Sequence, residues 1–302
     1  MVERSEDMEK EILEPVSTGD EARNVVMRQR KSRWRFVAAG LFAALVGLIV
    51  WDGADRKAAD ATRQIMMSPN VAIERNHPRT LKLASFNIHG GKGTDGVRNV
   101  SRIAELLTDV DVSGLYEVRA SSYEITPNQA ATIANANKLS WLFAPSERRW
   151  WTDHFGNGLT YRIPVRSAIR IPLVNTRGKA YRNAILATAE MQGVDVRIIA
   201  VHIDREQDRR AQLESVIELF LGLQPPCVLM GDLNTAGSDS IIEKLRNKPG
   251  VRSPLHDDTE HELPEGNIDW IFTRGLRTVS ARLIANGASD HPVLRAELAP
   301  LD

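Results

Sequence analysis

Asn87 closes the apolar run LKLASF, Glu117 follows VSGLY, and His202 follows RIIAV. Asp232 and Asn234 come directly after CVLMG, Asp269 follows Asn267-Ile268, and the pair Asp290-His291 precedes PVLRAEL. Each is a carboxylate, an amide or an imidazole standing where a strand-like pattern ends. A side chain at a strand's end is aimed across the rim of a sheet, where several ends can converge on one pocket. Brought together, carboxylates and imidazoles are the groups that move protons in general acid–base chemistry. Taken singly, each also has a plain structural role open to it. Asn87 can form a turn, Asp232 and Asn234 can cap a loop, and His202 can sit satisfied in a core. Their occurrence in one order along one chain is what separates them from such isolated cases.

The elements that must position these residues are short β-type runs alternating with amphipathic helical stretches. LKLASFNI, VSGLYEV, AILATAEM, VRIIAVHI, PCVLMGDL, DWIFTR and PVLRAEL read as strands. VRNVSRIAELLTDV carries Val100, Ile103, Leu106, Leu107 and Val110 near helical spacing, and DRRAQLESVIELFLGL is strongly periodic. Strands outnumbering interspersed helices predict a layered α+β or mixed α/β domain. No internal repeat is visible in the residues.

The blocks that hold the polar residues carry a resemblance. Ser85-Phe86-Asn87-Ile88, Tyr116-Glu117-Val118, Val201-His202-Ile203-Asp204, Gly231-Asp232-Leu233-Asn234, Ile268-Asp269-Trp270-Ile271-Phe272 and Ser289-Asp290-His291-Pro292-Val293 look like the successive signatures of the endonuclease/exonuclease/phosphatase superfamily. The resemblance covers about residues 81–298. Gly-Asp-Leu-Asn and Ser-Asp-His-Pro are its specific blocks. It implies a four-layer α/β/β/α sandwich of two mixed β-sheets and a metal-dependent phosphoester hydrolase. By the same resemblance, Glu117 is the chief magnesium ligand, helped by Asn87 and Asp290, with manganese as a substitute. Magnesium suits such a site because it takes oxygen ligands and few protein carboxylates. His291 would share a proton with the attacking water or bond the phosphate, and Asp269 would orient it. Asp232 and Asn234 would place the water, and His202 would donate to the phosphoryl oxygen. Asn157, in Gly156-Asn157-Gly158, matches a frequent family pair, and Arg182 stands where family members often have a basic residue. Both are candidate substrate-binding residues. Tyr116 departs from the family, many of whose members have Gln before the glutamate.

Other residues have weaker claims. Asp204 follows the histidine block and is a candidate supporting residue. His89 and Gly90-Gly91-Lys92-Gly93 form a glycine-rich loop without phosphate-loop spacing. Trp150-Trp151 can pack in a wall, stack on a base or dip into lipid. Cys227 is the only cysteine, so no disulfide and no cysteine-held zinc can form, and its apolar neighbours mark it as a buried thiol.

The N-terminal part reads differently. Residues 1–33 are polar and mixed in charge, which predicts a disordered tail. FVAAGLFAALVGLIVW, Phe36 to Trp51, contains no charge, is bracketed by Trp34 and Trp51, and predicts a transmembrane helix over residues 34–52. Arg28, Arg30, Lys31, Arg33 and Arg35 crowd its N-terminal flank, which places the tail in the cytoplasm and the rest of the chain outside. Residues 53–79 then form a linker and residues 80–302 the catalytic domain, expected to act as a monomer. The whole chain of 302 residues balances 39 Lys/Arg against 39 Asp/Glu, and the part after residue 80 is balanced as well. A broad electrostatic grip on nucleic acid is therefore not advertised, and residues 118–156 leave little length for duplex-straddling loops. Lipid or small phosphoesters are the expected substrates ahead of extracellular DNA or RNA, with a catalytically inactive phosphate-binding module as the alternative of another class.

Overall fold

The structure, a computed structural model, describes residues 19–59, 65–68, 79–120, 128–257 and 264–301. The chain divides into two units, Met1–Ala54 and Asp55–Asp302. What is described of the first is one helix, α1 (Gly19–Ala54). Its stretch Val26–Ala54 is long and apolar enough to cross a membrane, and by length and composition fits a membrane span or a signal sequence. The helix starts well before residue 34, so residues 19–33, expected in the disordered tail, are helical. EARNVVMRQRKSRWRF contains no Gly or Pro and is rich in strong helix formers, so nothing stops the apolar helix from propagating backwards. Residues 1–18 of the expected tail lie outside the described residues.

The second unit contains strands β1 (Lys57–Ala58), β2 (Met66–Met67), β3 (Leu81–Asn87), β4 (Val112–Arg119), β5 (Ser140–Arg149), β6 (Thr152–Tyr161) and β7 (Val165–Pro172). These are followed by β8 (Asn183–Met191), β9 (Val194–His202), β10 (Cys227–Asp232), β11 (Val251–Arg252), β12 (Asp269–Arg274), β13 (Leu276–Ile284) and β14 (Val293–Pro300). One sheet has the order β1-β5-β6-β4-β3-β14-β13, with β2 also on β5; the other runs β11-β12-β10-β9-β8-β7. Each is antiparallel except for one central parallel pair, β3 with β4 and β9 with β10. A parallel pair needs a crossover. Helix α2 (Val100–Glu105) lies in the first and α4 (Arg209–Gly222) in the second, with α3 (Gln129–Ala136), α5 (Ser240–Arg246) and α6 (Pro254–Asp257) elsewhere. Part of the expected linker thus joins a sheet: Lys57 pairs with Arg148 and Met66 with Phe143. Residues 60–64 and 69–78 of that linker lie outside the described residues.

Strand alternation sets the layers. Leu83 and Tyr116 pack between the sheets against Ile198, Met230 and Ile271. The intervening Phe86 and Leu115 face α2 and α3 through Ile103 and Ile133. On the other side, Ile199 and Leu229 face Leu213, Val216 and Phe220 of α4 and Ile242 of α5. Apolar side chains on both faces of each sheet give a four-layer α/β/β/α sandwich. Cys227 belongs to that last layer as a free, buried thiol, and burial pushes its pKa up.

Candidate active site

Parallel strands deliver their C-terminal ends to one edge, and the antiparallel neighbours begin there. Asn87 lies level with Tyr116 on β3 and β4, while Asp232 lies level with both His202 and Asp269 across β9, β10 and β12. Asp290 and His291 precede β14, which pairs with β3. The two sheets meet at this edge: Asn87 Nδ2 donates to Asp232 Oδ2 at 3.0 Å. That same oxygen lies 3.4 Å from His202 Nε2 and 3.8 Å from His291 Nε2. Asp232 Oδ1 accepts from the Asn234 backbone N–H at 3.0 Å, and Asn234 Nδ2 donates to the Ile203 carbonyl at 2.9 Å. Asn234 takes the left-handed conformation needed for that turn, with φ 47°.

His291 Nδ1 lies 2.8 Å from Asp269 Oδ2, which orients the ring and leaves Nε2 toward Asp232. Burial alone would lower the His291 pKa, but the hydrogen bond and charge of Asp269, with Asp232 and Asp290, outweigh it and push it up to about 9. Asp232 is pushed up to about 6 by burial and then by the charge of Asp269. Burial likewise raises Asp269. His202 is buried and held well below its ordinary value by desolvation, with the charges of Arg182 and His291 adding to the effect. The site therefore sets an imidazole that favours its proton and one that resists protonation on either side of one carboxyl group.

Glu117 lies beside this group at a bulge, where the β4–β6 register skips from Leu115 to Val118. Its φ of 58° is strained for a residue with a side chain, and such strain concentrates at functional positions. Its carboxylate accepts from the Asn87 amide at 3.5 Å. Asp290 is half exposed and lies 3.3 Å from His89 Nδ1. Ser289 Oγ donates to the Asn87 carbonyl at 2.7 Å and lies 3.2 Å from Asp290 Oδ1. Glu117, Asn87 and Asp290 offer side-chain oxygens, the donor type that a hard divalent cation takes. Asp232, Asp269 and His291 also bring donor atoms within 4.8 Å of one another. There, however, Asp269 and His291 are spent on each other, which suits proton handling better than coordination.

Arg182 immediately precedes β8, its guanidinium 5.8 Å from the Phe155 ring centre. It is largely buried, its Nε has no hydrogen-bond partner, and its charge is felt at Glu117, Glu147, Asp204 and Asp232. Such a cation is poised for an anionic ligand. Asn157 reaches the same edge, but its Nδ2 is committed to the Asn183 carbonyl at 2.8 Å. Asn183 in turn holds the carbonyls of Ala144 and Pro145, so this pair braces the sheets under Arg182. Tyr116 does not touch Glu117; its hydroxyl donates to the Met230 carbonyl across the sandwich at 3.0 Å. Asp204 pairs with Arg177 at 3.1 Å, away from Asp232. Asn183 and the role of Ser289 escaped the sequence reading, although Ser289 lies inside the Ser-Asp-His-Pro block.

The model of the Endonuclease/Exonuclease/phosphatase family matches residues 84–291. A structure described as an endonuclease/exonuclease/phosphatase from Beutenbergia cavernae is 22% identical with a TM-score of 0.58, covering 74% of this chain and 72% of its own. Zebrafish (D. rerio) TDP2 complexed with a single-strand DNA product is 17% identical, TM-score 0.58, over 73% and 99% of the two chains. The human Nocturnin catalytic domain with bound sulfate is 19% identical, TM-score 0.58, over 74% and 95%. At these identities the likeness shows the fold alone. No curated protein matches the chain. The family match spans more than half of the chain, and its blocks deliver the side chains that meet at the shared edge of the sheets. The chain thus belongs to the endonuclease/exonuclease/phosphatase family, whose members are typically hydrolases of phosphoester bonds and generally depend on a divalent metal.

Proposed function

We propose that this protein is a membrane-anchored, magnesium-dependent phosphoesterase that splits a phosphodiester or phosphomonoester by direct attack of water. The observation that carries the reading is Asp232 Oδ2, faced at once by Asn87, His202 and His291, with His291 locked to Asp269. Glu117, Asn87 and Asp290 would hold the magnesium, or manganese in its place, which bound there supplies Lewis-acid activation and shields the leaving oxygen. Asp232 and Asn234 position the attacking water, and Asp232 accepts its proton. His291, oriented by Asp269, and His202 donate to the phosphoryl oxygens as charge builds on them. Arg182 supplies a further contact to the phosphate. No side chain at this edge needs to form a covalent intermediate.

Helix α1 supports a tether, and the basic residues that precede its uncharged stretch support a cytoplasmic N-terminus with the catalytic unit outside. A tether raises the effective concentration of lipid substrates, and the balanced charge of the chain favours lipid or small phosphoesters over duplex. The single-strand DNA product in the zebrafish structure keeps nucleic acid as the second reading. The test is turnover of bis-p-nitrophenyl phosphate, phosphoinositides, sphingomyelin and plasmid with magnesium and with chelator. Chelator-sensitive turnover is expected, cut by about 100-fold or more in Glu117→Gln and Asp269→Asn. Wild type as inert as both variants on every substrate would instead identify a phosphate-binding module.

A further inference from the structure

Strands β5 and β6 are joined by Trp150 and Trp151 alone, and both have positive φ, 52° and 62°. A two-residue turn of this kind favours Asn-Gly, because bulky side chains are strained in the left-handed region. Strain kept at a surface position directs attention to the side chains it presents. Trp151 is 53% exposed, and the two indoles meet edge to face with centroids 6.0 Å apart. Arg148 and Arg149 directly precede the turn, and Lys57 of β1 lies level with Arg148. Indole rings rimmed by basic side chains match the boundary layer of an anionic bilayer, where indoles settle at headgroup depth and cations meet lipid phosphates.

The position of this tip matters as much as its composition. Strand β6 runs against β4, with Phe155 level with Arg119, two residues past Glu117. The tip therefore projects from the edge at which Asn87, Glu117, Asp232 and His291 gather. The catalytic unit's own first strand, β1, starts at this tip, and only Asp55 and Arg56 separate it from Ala54, the last residue of α1.

We propose that the Trp150-Trp151 tip is a lipid-contacting surface that seats the catalytic edge on the bilayer, so that the phosphoester cleaved is the headgroup phosphate of a membrane lipid. The substrate assignment rests on the phosphoesterase reading above; the lipid contact does not. The test uses the full chain reconstituted in nanodiscs of phosphatidylcholine and phosphatidylglycerol. In Trp151→Cys an environment-sensitive fluorophore is attached, the buried Cys227 being shielded from label. Blue-shifted emission, quenched by a headgroup-depth quencher, is expected; solvent-like emission overturns the contact whether or not the enzyme turns over. A second variant, Trp150→Asn with Trp151→Gly, gives the turn the residues it prefers and so keeps the hairpin folded. It should lose about tenfold on phosphoinositide or sphingomyelin placed in the discs, with bis-p-nitrophenyl phosphate unchanged. Equal loss on both, or wild-type turnover of the soluble ester with none of any lipid, overturns the substrate assignment. Lipid-like emission with no turnover of any ester keeps the contact and sinks the hydrolase reading instead.

Discussion

Among the described residues, two clusters of buried ionisable groups differ in an informative way. At the catalytic edge Asp232, Asp269 and His291 share charge through short contacts, so protons can be held and passed on. Beside Arg182, His154 and Glu147 are buried as well, with His154 Nε2 3.6 Å from a Glu147 carboxylate oxygen. Desolvation, then the charges of Arg56, Arg119 and Arg149, lower the His154 pKa from 6.5 to about 4. The folded state thus refuses a proton that the unfolded chain accepts below its ordinary pKa. The stability this contributes is complete above about pH 6.5 and is lost as pH falls towards about 4. Glu147, raised chiefly by burial, works in the opposite sense, so a difference between variants is needed to isolate the histidine. His154→Gln should narrow the stability gap between pH 7 and pH 4.5 by up to about 3 kcal/mol. Thermal melts of the detergent-solubilised chain at both pH values check this; parallel curves for wild type and variant would mean that the histidine titrates normally.

At the scale of the element, what aligns the site is the spacing of β9 and β10. A Cβ added at Gly231 would lie 2.1 Å from the Val201 carbonyl oxygen, which is backbone and cannot turn aside. Gly231 is one residue before Asp232, and Val201 one before His202. Gly231→Ala is therefore expected to spread these strands, cost about 1–3 kcal/mol and lower turnover more than stability alone explains. Gly222→Ala, with nothing within 4 Å of the added carbon, is the neutral control. Differential scanning fluorimetry beside an activity assay reads both. The same strands show why so much was legible in the residues. The runs of β3, β4, β9, β10 and β12 are buried on both faces, so a polar residue at their ends interrupts an apolar pattern and is seen. The β5–β6 hairpin was not anticipated, because Pro145, Ser146 and Glu147 interrupt one strand and Gly156 and Gly158 the other. Gly156 is required there by packing, since a Cβ would lie 2.2 Å from the Ala144 carbonyl oxygen. Strand β13, an edge strand with several exposed positions, gives a similarly weak pattern. Tyr116 and Asn183 were invisible as braces for another reason. Their partners are carbonyls on distant strands, which no local pattern reveals.

For the whole molecule the open physical matter is α1. Trp34, Phe36, Leu41, Phe42, Leu45 and Trp51 are all more than half exposed, so this helix presents a long apolar surface. An apolar surface of that extent is stable against a bilayer or is removed during export, and the two fates leave different molecules. The basic flank Arg28, Arg30, Lys31, Arg33 and Arg35 is compatible with either. What distinguishes them is covalent. A stop within the membrane keeps the N-terminal residues attached, while processing yields a chain that starts after the apolar run. Retention is expected here because Trp34 and Trp51 bracket the run as interfacial anchors do, although Gly53-Ala54 and Ala59-Asp60-Ala61 supply small residues just after it. The expected outcome in cells producing the full chain is a membrane-fraction protein of intact mass, 33.6 kDa, that resists carbonate washing. Protease added outside should digest the catalytic unit while leaving a tag on the N-terminus protected. A shortened protein recovered in the soluble exported fraction would show α1 to be a signal sequence. The catalytic edge would then meet its phosphoester in free solution, and the tryptophan tip alone would have to bring it to lipid.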